Sequence, residues 1–127
     1  MNINELTIGQ LKEIAAMFPQ LAAGAGAEYR HPQTGKYVIV RTYASGVWCA
    51  FLDSYDPVHR MAFLSTARRL WWWSGAFTLS TVASSGVSDA KMPAPINGIT
   101  VMQVEEIIPT MPIASAMLQE WPVHNAE

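Results

Sequence analysis

Tyr37-Val38-Ile39-Val40-Arg41-Thr42-Tyr43-Ala44-Ser45-Gly46-Val47-Trp48-Cys49-Ala50-Phe51-Leu52 sets two apolar, β-branched runs around a small-residue turn. The period is two, so Tyr37 to Tyr43 reads as a strand, Ala44-Ser45-Gly46 as the turn, and Val47 to Leu52 as the return strand. Gly46 is free to take the positive φ that a three-residue hairpin loop requires. An antiparallel sheet therefore stands at the centre of the fold.

Downstream, Asp53-Ser54-Tyr55-Asp56-Pro57 is the next turn. Arg60 to Trp73 is too long, and too polar at its middle, for one flat strand. The reading is a strand near 61–64, a bend at Ser65-Thr66, and a second strand near 68–73. Gly75 then releases the chain into a short helix, Thr78 to Ser84, closed by Gly86. Residues 88–98, with Pro93, Pro95 and Asn97-Gly98, read as loop, and Ile99 to Ile108 returns to strand. Pro112 opens a short C-terminal helix that ends near Trp121, and the tail from Pro122 is expected to fray. Upstream, Thr7 with Gln10 caps a helix over residues 4–18 whose stripe is Ile8, Leu11, Ile14, Ala15 and Phe18. Pro19 stops it, and residues 22–36 form a flexible tether. The expected fold is α+β: an antiparallel β-meander of about five strands with an N-terminal helix, a short crossing helix and a C-terminal helix. The 127 residues make one domain, with the N-terminal helix in 1–21, the linker in 22–36 and the core in 37–121.

Composition narrows the function classes. The chain is 50% hydrophobic and only 14% charged, against about 25% charged in ordinary domains. With five Trp in so short a chain, the expectation is a homo-oligomer that covers apolar surface with its own copies. The expected contacts are the N-terminal stripe (Ile8, Leu11, Phe18) and a C-terminal one (Met117, Trp121). A net charge of −2 and a pI near 5.9 disfavour a duplex-DNA binder. No apolar run is long enough to span a bilayer and the first residues lack a basic leader, so an intracellular, soluble protein is expected.

Catalytic signals are missing. His31, His59 and His124 are too scattered for a zinc site, and Ser45 and Ser80 sit in no nucleophile elbow. The glycines at 24 and 26 lack the Lys-Ser/Thr of a phosphate loop. Glu105 and Glu106 are neighbours in a strand, hence on opposite faces, and are expected to pair with Arg41 or Arg69. The single Cys49 lies in an apolar run and reads as a buried thiol. No enzyme, cofactor or metal is expected.

What stands out is Ala67-Arg68-Arg69-Leu70-Trp71-Trp72-Trp73-Ser74-Gly75-Ala76. On a strand, alternation sends Arg69, Trp71 and Trp73 to one face and Arg68, Leu70 and Trp72 to the other. Arg41 and Tyr43 share a face of their own strand, and adjacent pairing merges the two sets. A buried guanidinium needs an anion, which for Arg69 is expected from a ligand. Arg41, Arg68 and Arg69 supply donors for phosphate, and Tyr43, Trp71 and Trp73 supply planes for a base.

The run from Tyr37 to Val47, the Ala67-Arg68-Arg69-Leu70-Trp71-Trp72-Trp73-Ser74-Gly75-Ala76 centre, and Glu105-Glu106-Ile107-Ile108-Pro109 resemble a family of small tailed-bacteriophage proteins with a domain of unknown function. The resemblance spans about residues 36–121. It departs at Trp72, where Tyr is usual, and at Ala44-Ser45, where Ser-Ala is commoner. It implies a phage protein acting in the host cytoplasm. In that context the expected role is to bind and sequester a small anionic nucleotide signal of host antiphage immunity, of cyclic nucleotide or cyclic ADP-ribose type. The rivals are a protein-interaction module, a host-factor inhibitor or minor virion component with the Trp run as anchor, and a binder of single-stranded nucleic acid.

Overall fold

A computed structural model describes residues 29–125. The expected helix over 4–18, its stripe and most of the tether lie outside the described residues. The described fold is α+β, in the order β1 (Tyr37–Thr42), β2 (Val47–Asp56), β3 (Met61–Arg69), β4 (Trp72–Ser74), α1 (Leu79–Ser85), β5 (Asp89–Lys91), β6 (Ile99–Val101), β7 (Val104–Pro109) and α2 (Pro112–Glu120). Five strands form an antiparallel sheet in the order β6-β3-β2-β1-β7, and β4 pairs with β5 in a separate ribbon.

The hairpin forms as the alternation requires, with Arg41 opposite Val47 and Gly46 at φ 84°. Thr42 seals its turn: the Oγ1 hydroxyl donates to the Gly46 carbonyl at 2.8 Å and accepts the Ser45 N–H at 3.0 Å. Three expectations are corrected downstream. The 61–69 segment is one strand, with Thr66 at φ 48° absorbing the bend. The second strand breaks at Leu70-Trp71: the Leu70 N–H still bonds the Val47 carbonyl at 2.8 Å, in register with the β2–β3 pairing, whereas the Trp71 N–H goes to the Lys91 carbonyl at 3.1 Å and carries the chain to a different partner. The 88–98 loop contains β5, which β4 recruits through the pairs Trp72–Lys91, Trp73–Ala90 and Ser74–Asp89.

The strand expected over 99–108 is also divided. Met102-Gln103, with Gln103 at φ 54°, separates β6 on one edge of the sheet from β7 on the other. In a flat five-stranded sheet the edges lie about 19 Å apart, whereas two linking residues span at most about 11 Å. The sheet therefore curls into a partly closed barrel. Val38, Val40, Trp48, Ala50, Leu52, Ala62, Leu64, Ala67, Val101 and Val104 cluster as its interior.

The opposite face of the sheet carries the second core. Tyr37, Ile39, Cys49 and Leu70 pack against Val82 and Ala83 of α1 and Leu118 of α2. Thr78 caps α1 by accepting the Thr81 N–H, and Gly86 closes it. Met117 and Trp121, expected at an assembly surface, face inward instead. The Met117 thioether accepts the Val87 N–H at 3.3 Å and the Trp121 indole donates to the Ala90 carbonyl at 3.1 Å. The tail is also tied down, since the His124 N–H donates to the Met92 carbonyl at 2.9 Å. No helix among the described residues is long and apolar enough to cross a membrane.

Cys49 is fully buried, and burial pushes its thiol from 9.0 up to about 12. The thiolate is the reactive form, so at about pH 8 a disulfide reagent should label the native chain roughly 1000-fold more slowly than the urea-unfolded chain. Comparable labelling rates would contradict this burial. Burial raises the Tyr37 phenol as well. Both groups keep their protons in the folded state while the unfolded chain loses the thiol's near pH 9.0. Stability is therefore whole below that pH and falls as pH rises above it.

Candidate functional site

The β2–β3 register places Trp48 directly opposite Arg69. Residues so paired share a face of the sheet, and the Arg69 guanidinium carbon lies 4.5 Å from the Trp48 ring centroid. This is a cation–π stack. The indole is only 3% exposed whereas Arg69 is exposed, so one guanidinium face rests on an apolar plane while the other meets solvent. Among the described residues Arg69 has no carboxylate partner, and the buried Trp48 indole N–H has no acceptor.

This pair borders a cleft of about 290 Å³. The β1–β2 turn contributes Ala44 and Ser45, β6 contributes Ile99, Thr100 and Val101, and the link to β7 contributes Met102 and Gln103. The cleft thus lies on the seam of the barrel. Its walls combine hydroxyl and amide groups with aliphatic surface, and Arg69 is the one ionisable side chain among the described residues that line it. Gln103 holds a left-handed backbone without being glycine, the kind of local strain that gathers at binding sites.

The other arginines have different positions. Arg41 donates from Nη1 to Glu106 Oε1 at 2.9 Å on the solvent side of β1. It alternates with the inward Val40, so it lies on the opposite face from Arg69 and the two sets do not merge. Tyr43 is exposed beyond the end of β1, where its N–H donates to the Gln103 carbonyl at 3.0 Å. Arg68, at 2% exposure, is inside the molecule. It donates to the carbonyls of Pro93 at 2.9 Å, Leu118 at 3.0 Å and Trp121 at 2.6 Å. The carbonyls at the end of α2 replace the expected external anion. Burial lowers the Arg68 pKa from its ordinary value.

Neither expected tryptophan lines the cleft beside Arg69, and the strand that would have aligned them ends at Arg69. Trp71 is 68% exposed, and its ring lies 5.3 Å from the Lys91 ammonium, which also sits 5.5 Å from Trp72. Trp73 packs on the outer core and donates its indole N–H to the Ala76 carbonyl at 3.3 Å. The aromatic plane beside Arg69 is Trp48, which sequence reading placed only within an apolar run.

A family model described as a domain of unknown function (DUF6948) matches residues 35–118, which include both members of the stacked pair. No curated protein and no solved structure matches the chain.

Proposed function

The chain belongs to the DUF6948 family of unknown function, and on that premise we propose a non-catalytic phage protein that binds a small anionic nucleotide. In this reading it acts in the cytoplasm of the infected host, where it sequesters a signal of antiphage immunity. The observation that carries the reading is the Arg69 guanidinium stacked on Trp48 beside a cleft of about 290 Å³. The stack pre-orders the guanidinium and leaves its N–H edge open for a phosphate. Ser45, Thr100 and Gln103 supply groups suited to a sugar or base edge.

A charge-assisted hydrogen bond contributes about 1.5–3 kcal/mol. Arg69→Ala should accordingly weaken binding of a cyclic nucleotide by about tenfold or more in calorimetry. Arg41→Ala, on the other face, should bind like the parent, and the ligand should be recovered unhydrolysed. Equal affinity of the parent and Arg69→Ala would place the ligand elsewhere.

The second reading is a protein-interaction module that also self-assembles. The observation favouring it is the exposure of Trp71 and of Phe77, the latter 96% exposed, since aromatic side chains dominate interface energetics. Light scattering distinguishes a 14.0 kDa monomer from an assembly.

A further inference from the structure

Resting on the nucleotide reading above, we infer that the cleft takes a singly charged phosphodiester of one-nucleotide size, such as a 3′,5′-cyclic mononucleotide, over doubly charged or two-nucleotide ligands. The first ground is charge. Arg69 is the single cation lining the cleft among the described residues, and three other basic side chains are committed elsewhere, while Arg60, whose carbonyl accepts the Val104 N–H beside the link, does not line it. Arg68 is held by carbonyls on the far face of the sheet. Arg41 is paired with Glu106, and Lys91 lies against Trp71 and Trp72. One guanidinium matches one phosphodiester charge. A terminal phosphate or a pyrophosphate would bring a second charge against Ile99, Val101 and Met102 with no second cation lining the cleft among the described residues, and an unpaired charge on apolar walls is costly.

The second ground is size. About 290 Å³ stands at the lower end of small-molecule sites, which span about 300–1,000 Å³. That volume suits one base, sugar and phosphate, not two sets. The third is the state of Trp48: its ring face is occupied by Arg69, so a base has no second indole face to stack on there. The base must lie along the aliphatic wall of β6, with its polar edge toward Thr100 and Gln103.

The ligand's own ionisation supplies the test. A 5′-monophosphate passes from one charge to two near pH ~6, whereas a cyclic phosphodiester keeps one charge throughout. The β1–β2 turn, Trp48 of β2 and the β6 residues lining the cleft carry no ionisable group, so Arg69 of β3 is the one such side chain there among the described residues. Nearby along the chain, Tyr43 precedes the turn, Glu105 and Glu106 follow the link in β7, and the carbonyl of Arg60, just before β3, accepts the Val104 N–H beside the link. Calorimetry of the full chain would compare 3′,5′-cyclic nucleotides, their matched 5′-monophosphates and a cyclic dinucleotide at about pH 8 and about pH 5.5.

At the higher pH the cyclic mononucleotide should bind about tenfold or more tighter than its monophosphate. On acidification the monophosphate should gain about threefold or more, while the cyclic form changes less than about twofold. A monophosphate that binds as well as the cyclic form at about pH 8 overturns the charge argument and leaves the nucleotide reading standing. A cyclic dinucleotide bound one per chain, tighter than any mononucleotide, overturns the size argument in the same way. Binding of no nucleotide at either pH overturns the nucleotide reading itself, and this inference with it.

Discussion

Replacing Arg68 by Met should lower the unfolding free energy by about 3–5 kcal/mol, as the backbone carbonyls it serves lose their donor at about 1–3 kcal/mol each. The side chain is 2% exposed, and it serves as the terminal cap that α2 does not supply for itself. The C-cap residue of α2 is Trp121, not glycine, and its last turn contains no basic residue. The carbonyls of Leu118 and Trp121 are met by a guanidinium from β3, at 3.0 and 2.6 Å. Methionine fills similar volume and offers no donor, so those carbonyls would stay buried and unpaired, each at about 1–3 kcal/mol. Arg68→Lys keeps the charge but concentrates it at one point, which cannot serve Pro93, Leu118 and Trp121 together. It should recover less than half of the loss. Urea unfolding with an unchanged slope is the appropriate measurement. A loss below about 1 kcal/mol for Arg68→Met would mean that the carbonyls find water instead.

Gly75→Ala should destabilise the fold by about 2–5 kcal/mol, the sum of two separable effects. Gly75 has φ 85°, a left-handed conformation that costs an L-residue about 1–2 kcal/mol. A Cβ there would also collide with the Ser88 hydroxyl and lie 2.7 Å from the Ser88 nitrogen. Ser88 cannot yield readily, because its N–H donates to the Ser74 carbonyl at 2.8 Å at the end of the β4–β5 ribbon. Gly35→Ala is the control: φ is 83° and nothing lies within 4 Å of the added carbon. That variant should show the conformational part alone, about 1–2 kcal/mol. Equal losses for the two variants would remove the steric part of the argument.

The legible parts of the fold are those fixed by local chemistry. Val38-Ile39-Val40 with Gly46 specifies the first hairpin, Thr78 and Gly86 bracket α1, and Pro112 starts α2. Opposed strands brought Arg41 to Glu106 as one of the two pairings that charge allowed. The illegible parts depend on partners distant in sequence. Asp89-Ala90-Lys91 has no strand pattern and becomes β5 because β4 needs an edge. The pairing of Trp48 with Arg69 depends on register shifts between Cys49 and Phe51 and between Leu52 and Ser54, which alternation cannot count. The departure of Trp71 from the strand that holds Arg69 follows from a change of partner, the Trp71 N–H bonding the Lys91 carbonyl while the Leu70 N–H still bonds Val47. Alternation did separate Arg68 from Arg69. It could not show that helix carbonyls fifty residues on would receive one of them, while the other remains open.

Because a single segment supplies both edges of the barrel, the order of synthesis leaves a gap in its assembly. Once Arg69 has emerged, β1, β2 and β3 can pair as a meander, but β6 and β7 arrive only over the next 40 or so residues, to Pro109. At about 5–20 residues per second that interval lasts about 2–8 s. During it the outer edges of β1 and β3 present unpaired backbone groups beside Val38, Val40 and Leu64, a template for pairing with another nascent chain. Glu105, Glu106 and Pro109 then arrive on β7 as charged and hydrogen-bond-poor edge residues, a composition that resists further strand addition. The native barrel is guarded at that edge, and the vulnerable species is the unfinished polypeptide on the ribosome.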